Sequence, residues 1–270
     1  MNQESLAISK RSFLKVLGKG ALATGLLAPR SSKGAMTYKP RPEALLTTDI
    51  REPSDTEEEI HFMSATKLAS LIRSKQISST EALQLFVDRI HKVNPQINAV
   101  VTPCFDRAFE EASKADELMT KGQLLGSLHG VPMTIKDSID TEGVVSTGGT
   151  QGRSHFVPEQ DATTVARLRA AGAILIGKTN TPEFTLGGVD GLNTTSNIIF
   201  GMSRNPYNTK FSTYGSSGGA GAIVAAGGSG FDIGSDFGGS IRSPSHANGV
   251  AGFKPTTGRV PRTGHIVCLL

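Results

Sequence analysis

The feature that most constrains the fold of this chain is a glycine- and serine-rich region between residues 215 and 242. It contains Gly215-Ser216-Ser217-Gly218-Gly219 and, after a run of small residues, Asp236-Phe237-Gly238-Gly239-Ser240-Ile241-Arg242. Glycines at this density allow tight turns and close packing, so Ser216 and Ser240 are each presented on a constrained loop. Neither serine has a histidine directly beside it. A serine hydroxyl is a weak nucleophile at neutral pH, so another side chain must supply the base.

A lysine upstream of the serines is the candidate for that base. Lys136 ends the apolar run in Leu128-His129-Gly130-Val131-Pro132-Met133-Thr134-Ile135-Lys136-Asp137, which predicts a short buried strand. Burial disfavours the charged form of a lysine, so its amine can be neutral near physiological pH and accept a proton. The three segments together predict a relay from one serine, through the other, to Lys136.

The order and content of these segments resemble the amidase signature family. In that family a glycine- and serine-rich segment ends in Gly-Gly-Ser-Ile-Arg and follows a Gly-Val-Pro strand that carries a lysine, and residues 238–242 and 130–136 have this form. The resemblance extends from about Ser64 to about His265. It implies an α/β class, the amidase-signature fold, with one domain built on a central mixed β-sheet flanked by helices on both faces.

The resemblance implies a role for each candidate side chain. Ser240 is then the nucleophile that accepts the acyl group, Ser216 is the bridging serine, and Lys136 is the base. In relatives the bridging serine follows a cis peptide bond, which here joins Gly215 to Ser216. Ser217 supports the site either by hydrogen bonding within it or by capping the helix that follows, and the capping role is the favoured prediction.

The resemblance further implies an oxyanion hole made of backbone N–H groups at the nucleophile. These groups belong to Phe237, Gly238, Gly239 and Ser240. Glycine suits this task because no Cβ keeps the backbone away from the substrate. The implied reaction is hydrolysis of a carboxylic amide through an acyl-enzyme that water then splits. It requires no metal and no organic cofactor, and the predicted partner is a small-molecule amide substrate.

Two other functions remain open at this point. Gly215 to Gly219 also fits the Gly-x-Ser-x-Gly turn of α/β-hydrolases, which makes an esterase with Ser217 as nucleophile and His246 or His265 as base an alternative. That turn should follow a buried strand, whereas residues 204–210 are polar. The other alternative is a catalytically inactive, truncated amidase.

A phosphate-loop pattern lies between the lysine strand and the serine loops. Gly172-Ala173-Ile174-Leu175-Ile176-Gly177-Lys178-Thr179 matches Gly-x-x-x-x-Gly-Lys-Thr. A phosphate loop lies between a strand and a helix, but here the apolar residues 173–176 are themselves the predicted strand. We therefore do not predict nucleotide binding from this motif.

The charge of the chain argues against nucleic acid as a partner. The chain has 28 basic and 24 acidic residues, a formal net charge of +4. Residues 1–36 hold six of the basic residues and one acidic residue, which leaves 22 basic and 23 acidic residues elsewhere. A nearly neutral body lacks the basic surface that binds phosphate backbones. Cys104 and Cys268 are the two cysteines, and their spacing predicts neither a metal site nor a disulfide framework.

The first 36 residues predict an export signal. Ser9-Lys10-Arg11-Ser12-Phe13-Leu14-Lys15 resembles the twin-arginine signal with lysine in place of the first arginine, and a moderately apolar stretch, Val16 to Ala28, follows. That stretch is too short to span a bilayer, so we expect no stable membrane anchor. A functional signal implies a periplasmic or exported protein, whereas a disordered basic tail implies a cytoplasmic one. Residues 37–63 are predicted to form a polar linker, and residues 64–270 the amidase signature domain.

Local patterns predict several elements of that domain. Ser78-Ser79-Thr80-Glu81 is a capping box that opens a helix with Leu83, Phe86 and Ile90 on one face. A further helix is predicted from about Phe105 to Thr120. Asp161 is predicted to cap a helix that ends at Gly172, followed by a strand over residues 173–176.

The sequence follows the family pattern through residues 252–260 and then stops at Leu270. Relatives continue beyond this point, so we expect a C-terminally truncated member whose sheet edges and apolar surface are partly uncovered. This expectation leaves open a homo-oligomer or a complementing C-terminal polypeptide as a partner.

Overall fold

The computed structural model describes residues 60–266, all of which belong to one compact unit. The predicted export signal over residues 1–36, most of the predicted linker over residues 37–63 and the apolar tail over residues 267–270 lie outside the described residues. Within residues 60–266, no helix is long and apolar enough to cross a membrane.

A four-stranded mixed sheet forms the centre of the fold. Its strands are β1 (Val100–Pro103), β2 (Pro132–Lys136), β3 (Ile174–Thr179) and β6 (Asp232–Ile233), in the order β1-β3-β2-β6. β1 pairs antiparallel to β3, whereas β2 pairs parallel to both β3 and β6. Two short strands, β4 (Ser196–Asn197) and β5 (Gly201–Met202), form a separate antiparallel pair. The apolar runs predicted as strands over residues 131–135 and 173–176 are thus confirmed, with each strand extending to a lysine or beyond it.

Six α-helices surround the sheet within the described part of the chain. They are α1 (Ala65–Arg73), α2 (Ser79–Ile97), α3 (Phe105–Thr120), α4 (Thr163–Ala170), α5 (Gly218–Ala225) and α6 (Arg242–Ala247). Two single turns of 3₁₀ helix lie at Gln151–Arg153 and Glu183–Thr185. The capping box at the start of α2 is confirmed, because Ser78 accepts from the Glu81 N–H and Glu81 accepts from the Ser78 N–H. The predicted bounds of α3 are also confirmed.

Helices cover both faces of the sheet, as the family resemblance implies. One apolar core joins the sheet to α1, α2, α3 and α5, and it includes the buried face of α2 formed by Leu83, Phe86 and Ile90. The other core packs Met133 and Ile135 of β2 against Val165 of α4. Because neighbouring residues of a strand point to opposite faces, Lys136 lies on the α5 side of the sheet.

The prediction that Asp161 caps α4 is wrong. The residue at the cap position is Ala162, and no side chain caps this helix. Asp161 instead accepts from the backbone N–H of Glu142 at 2.8 Å and pairs with Arg169 at 3.4 Å. Its carboxylate therefore ties a neighbouring loop to the helix, a contact that depends on tertiary structure.

Small residues let α5 pack directly against the sheet. A Cβ added at Gly219 would lie 2.5 Å from the backbone nitrogen of Asn180, and one added at Gly218 would collide with Thr195. The glycines that follow Ser217 thus permit the close approach that brings the start of α5 to the end of β2. This confirms the packing role predicted for this segment.

Candidate active site

Lys136 is the buried centre of the candidate site. It is the last residue of β2, and its side chain has no solvent exposure. Burial lowers the pKa of its amine from 10.5 to about 7, although the carboxylates of Asp232 and Asp236 oppose this shift. A substantial fraction of the amine is therefore neutral at neutral pH and able to accept a proton.

Three serine hydroxyls surround the Lys136 amine. Its Nζ lies 2.6 Å from the Oγ of Ser216, 3.1 Å from that of Ser217 and 3.0 Å from that of Ser235. The sequence predicted the contact to Ser216, gave hydrogen bonding within the site as the less favoured role of Ser217, and did not reveal Ser235. Ser235 stands two residues after β6 and five before Ser240, and the pairing of β6 with β2 brings it to Lys136.

The loop that carries Ser216 has the backbone form that the family resemblance implies. The peptide bond between Gly215 and Ser216 is cis. The backbone N–H of Ser217 donates to the carbonyl of Ser240 at 3.1 Å, which ties the two serine loops together. A single backbone hydrogen bond thus holds the segment of the bridging serine against that of the predicted nucleophile.

Ser240 lies between β6 and α6 at the wall of an open cavity of about 860 Å³, which Ser216 also lines. Among the described residues, its hydroxyl has no hydrogen-bond partner. The structure therefore brings Lys136 and Ser216 into contact, and places Ser240 in the same cavity without a hydrogen bond between the two serine hydroxyls. A half-buried hydroxyl without a partner, at the wall of a cavity, is free to meet a substrate.

Asp236 organises the loop before Ser240. Its side chain has no solvent exposure and accepts from the backbone N–H groups of Gly239, Ile241 and Arg242 at 2.8, 3.1 and 3.2 Å. The guanidinium of Arg242 also pairs with it at 3.0 Å. Burial disfavours the charged carboxylate, but these hydrogen bonds outweigh that effect and hold the pKa of Asp236 well below its usual range. The sequence showed both residues in the motif but not this role.

Four backbone N–H groups were predicted to form an oxyanion hole, and in the structure one of them is bonded within the protein. The N–H of Gly239 donates to Asp236, so it is not available to a substrate in this structure. The N–H groups of Phe237, Gly238 and Ser240 have no acceptor within residues 60–266 and belong to the cavity wall. Three of the four predicted donors are thus free.

The favoured prediction that Ser217 caps α5 is wrong. Ser217 stands at the cap position, but its side chain makes no capping hydrogen bond. Its hydroxyl lies 3.1 Å from Lys136 and donates to the carbonyl of Ser235 at 3.2 Å. No strand leads into this serine, because the preceding strand ends at Met202. The α/β-hydrolase alternative therefore has no support from the fold around Ser217.

The phosphate-loop pattern has a structural role. Residues 174–179 form β3, and the side chain of Lys178 is buried. Its amine donates to the carbonyl of Ile139 at 2.5 Å and to the hydroxyls of Thr141 and Ser146 at 3.0 and 2.9 Å. Lys178 thus fastens the loop after β2. Among the described residues, no group of three or more His, Cys, Asp or Glu side chains is arranged to hold a metal ion.

Because Lys136 is buried, we expect the free energy of unfolding to depend on pH. Its pKa is about 7 in the fold and 10.5 when exposed, so between these values the unfolded chain binds more protons. The free energy of unfolding should therefore rise with pH over this window, by a few kcal/mol in total. Lys136→Met removes the titrating group, so the wild type should gain stability relative to this variant between pH 7 and 10. Urea unfolding of both proteins across this range measures the difference, and parallel curves would contradict the expectation.

Comparisons with known proteins identify relatives of the chain. Residues 81–268 match the protein family described as Amidase. The chain is 44% identical over 206 residues to a glutamyl-tRNA(Gln) amidotransferase subunit from Moorella thermoacetica, covering 76% of this chain and 41% of the relative. It is 45% identical over 198 residues to indoleacetamide hydrolase of Bradyrhizobium diazoefficiens, covering 73% of this chain and 37% of the relative.

Solved structures show the same similarity. Native peptide amidase from Stenotrophomonas maltophilia superposes with a TM-score of 0.72 at 36% sequence identity, over 76% of this chain and 42% of that protein. The chain thus spans about 40% of the length of the curated relatives and the solved structure that it matches.

Proposed function

The chain belongs to the amidase family, and we propose on this basis that it carries the catalytic centre of a hydrolase for small-molecule carboxylic amides. One observation carries the proposal: a buried lysine with a pKa of about 7 lies 2.6 Å from Ser216, at the cavity that Ser240 lines. A base of this pKa, in contact with a hydroxyl, is suited to general base catalysis at neutral pH.

The proposed first step forms an acyl-enzyme through a Ser-Ser-Lys triad. The Oγ of Ser240 attacks the amide carbonyl and gives its proton to Ser216. Ser216 in turn gives its own proton to the neutral amine of Lys136. The two serine hydroxyls must then come within hydrogen-bond distance, and catalytic hydrogen bonds often shorten only when substrate binds. The relay returns a proton to the leaving amine as the carbon–nitrogen bond breaks.

The tetrahedral intermediate needs donors for its negative oxygen. We assign this role to the backbone N–H groups of Phe237, Gly238 and Ser240, because Asp236 already accepts the N–H of Gly239. Asp236 and Arg242 then act by fixing the loop in which these donors lie. Water, activated by the same relay, splits the ester at Ser240 and regenerates the free hydroxyl.

The substrate proposal is a small amide with an apolar acyl group. Apolar side chains of Leu186, Leu192 and Phe237 line the same cavity as the two serines. The matched proteins include an indoleacetamide hydrolase and a peptide amidase, both named for amide substrates. We assign no nucleic-acid partner, because the body of the chain is nearly neutral.

A panel of amides tests the proposed function. The purified chain should release amine or ammonia from at least one aryl or aliphatic acyl amide, and chelators should not reduce the rate. Matched esters in the same panel identify a preference for oxygen leaving groups. A folded chain that turns over no amide in the panel would contradict the proposal and favour the inactive alternative.

Two further features of the whole protein remain proposals. The sequence pattern of residues 1–36 supports export to the periplasm, and those residues lie outside the described structure. Phe253 lies outside the cavity lining and is 80% exposed, which supports a second polypeptide or a second copy of the chain as a partner that covers it.

A further inference from the structure

Asp232 has a carboxylate that is only half satisfied. It lies in β6 opposite Thr134 of β2, and its Oδ2 accepts from the hydroxyls of Thr134 at 2.7 Å and Thr179 at 3.0 Å. Its Oδ1 is buried and has no hydrogen-bond partner among the described residues. A buried oxygen of this kind costs free energy and is rare in folded proteins, so it requires an explanation.

Joining the strands does not explain the charge. A neutral acceptor would serve the two threonine hydroxyls equally well, without the cost of burying a carboxylate. The negative charge of Asp232 therefore needs a positive counterpart near it. Lys136 and Lys178 are the two buried lysines in this part of the sheet.

The register of the sheet shows which of the two lysines points to the same face of the sheet as Asp232. Thr134 and Lys136 stand two residues apart in β2 and so point to the same face. Lys136 is opposite Thr179 in the parallel pair with β3, and Thr179 holds the same carboxylate oxygen. Lys178, next in sequence to Thr179, points to the other face and bonds the loop after β2. Asp232 is thus on the face of Lys136.

Other charged groups near Lys136 have partners of their own. Asp236 is paired with Arg242, and the carboxylate of Asp137 bonds Thr147. Among the described residues, Asp232 forms no direct ion pair with either lysine, so its effect on Lys136 acts through space in a buried environment, where charges are weakly screened.

We propose that Asp232 is a positioning residue for the amide hydrolysis proposed above: its buried charge stabilises the protonated form of Lys136 and so fixes the pH range in which the serine relay works. The effect of Asp232 on the pH dependence of turnover rests on the proposed function, whereas its effect on the protonation of Lys136 does not. The electrostatic coupling between the two side chains can be tested without turnover.

The direction of the effect follows from the charges. Burial raises the pKa of Asp232 to about 6, against the hydrogen bonds from Thr134 and Thr179 and the charges of Lys136 and Lys178. Above that pH the carboxylate is charged and opposes the loss of the Lys136 proton. Removing the charge should therefore lower the pKa of Lys136, so that the neutral amine forms at lower pH.

Asp232→Asn tests the proposal, because asparagine keeps an acceptor for the two threonines and removes the charge. The side-chain resonances of Lys136, assigned by their absence from Lys136→Met, should titrate with a midpoint about 0.5–1 pH unit lower than in the wild type. The rising limb of amide turnover should shift by the same amount. Asp140→Asn is the matched control, since Asp140 is paired with Arg153 and acts on Lys178 rather than on Lys136. Its Lys136 midpoint should not move.

A second variant, Lys136→Met, tests the same coupling by measuring the pKa of Asp232. Coupling between two sites is symmetric, so Lys136→Met should raise the pKa of Asp232, read from its carboxyl carbon resonance, by a similar amount. An unchanged Lys136 midpoint in folded Asp232→Asn, or an unchanged Asp232 pKa in Lys136→Met, would overturn the proposal and leave Asp232 as a link between strands. A shifted midpoint in a chain without amide turnover would support the coupling and refute the proposed function alone.

Discussion

Ser240→Ala should reduce amide hydrolysis about a thousandfold or more while the protein remains folded. The variant loses the oxygen that forms the acyl-enzyme, and the hydroxyls of Ser216, Ser217 and Ser235 are each hydrogen-bonded to Lys136. The Ser240 hydroxyl makes no hydrogen bond among the described residues, so its removal should leave the free energy of unfolding almost unchanged. Steady-state turnover and thermal unfolding measure the two effects.

A second serine in the same region provides the matched control. Ser245 lies in α6, and its hydroxyl donates to the carbonyl of Ile241 within the helix. Ser245→Ala removes one hydroxyl from the same segment and should retain most of the turnover. If Ser240→Ala kept comparable activity, the nucleophile would have to be another group.

Lys136→Arg should be nearly inactive, with turnover reduced about a hundredfold or more. Arginine keeps its charge at any working pH and cannot accept the proton of Ser216. In the wild type, the pKa of Lys136 is about 7, so turnover should rise as the pH increases through 7 and then level off as the amine becomes neutral. The variant should lack this rise.

The fold of the Lys136→Arg variant must be checked at each pH, because a buried guanidinium replaces an amine that is partly neutral. Circular dichroism and unfolding midpoints provide that check. Substantial turnover in folded Lys136→Arg, with the wild-type pH profile, would remove the lysine from the mechanism.

Patterns that are local in sequence predicted much of the fold correctly. The capping box at Ser78 and Glu81 and the bounds of α3 depend on contacts within a few residues, so the sequence alone determines them. The strand that ends in Lys136 and the contact between Lys136 and Ser216 followed from the apolar run and from the family resemblance. The strand depends on its own short segment, whereas the contact joins residues 80 positions apart and was expected from the resemblance.

The features that sequence reasoning missed depend on tertiary contacts. Asp161 and Ser217 are good capping residues by type, but each side chain finds a stronger partner from another element. Ser235 reaches Lys136 only because β6 pairs with β2, and the same pairing places Asp232 beside Thr134. No spacing in the sequence reveals these neighbours, since they are far apart along the chain.

The most direct test of the Ser-Ser-Lys mechanism is to identify the serine that a fluorophosphonate labels in the full chain. Trypsin leaves residues 211–242 in one peptide that contains all four candidate serines, because no lysine or arginine lies between Lys210 and Arg242. Fragmentation of this peptide in the mass spectrometer is therefore needed to locate the adduct. We expect a single adduct on Ser240 that is absent from Lys136→Arg. An adduct on Ser216 or Ser217, or equal labelling of the lysine variant, would contradict it.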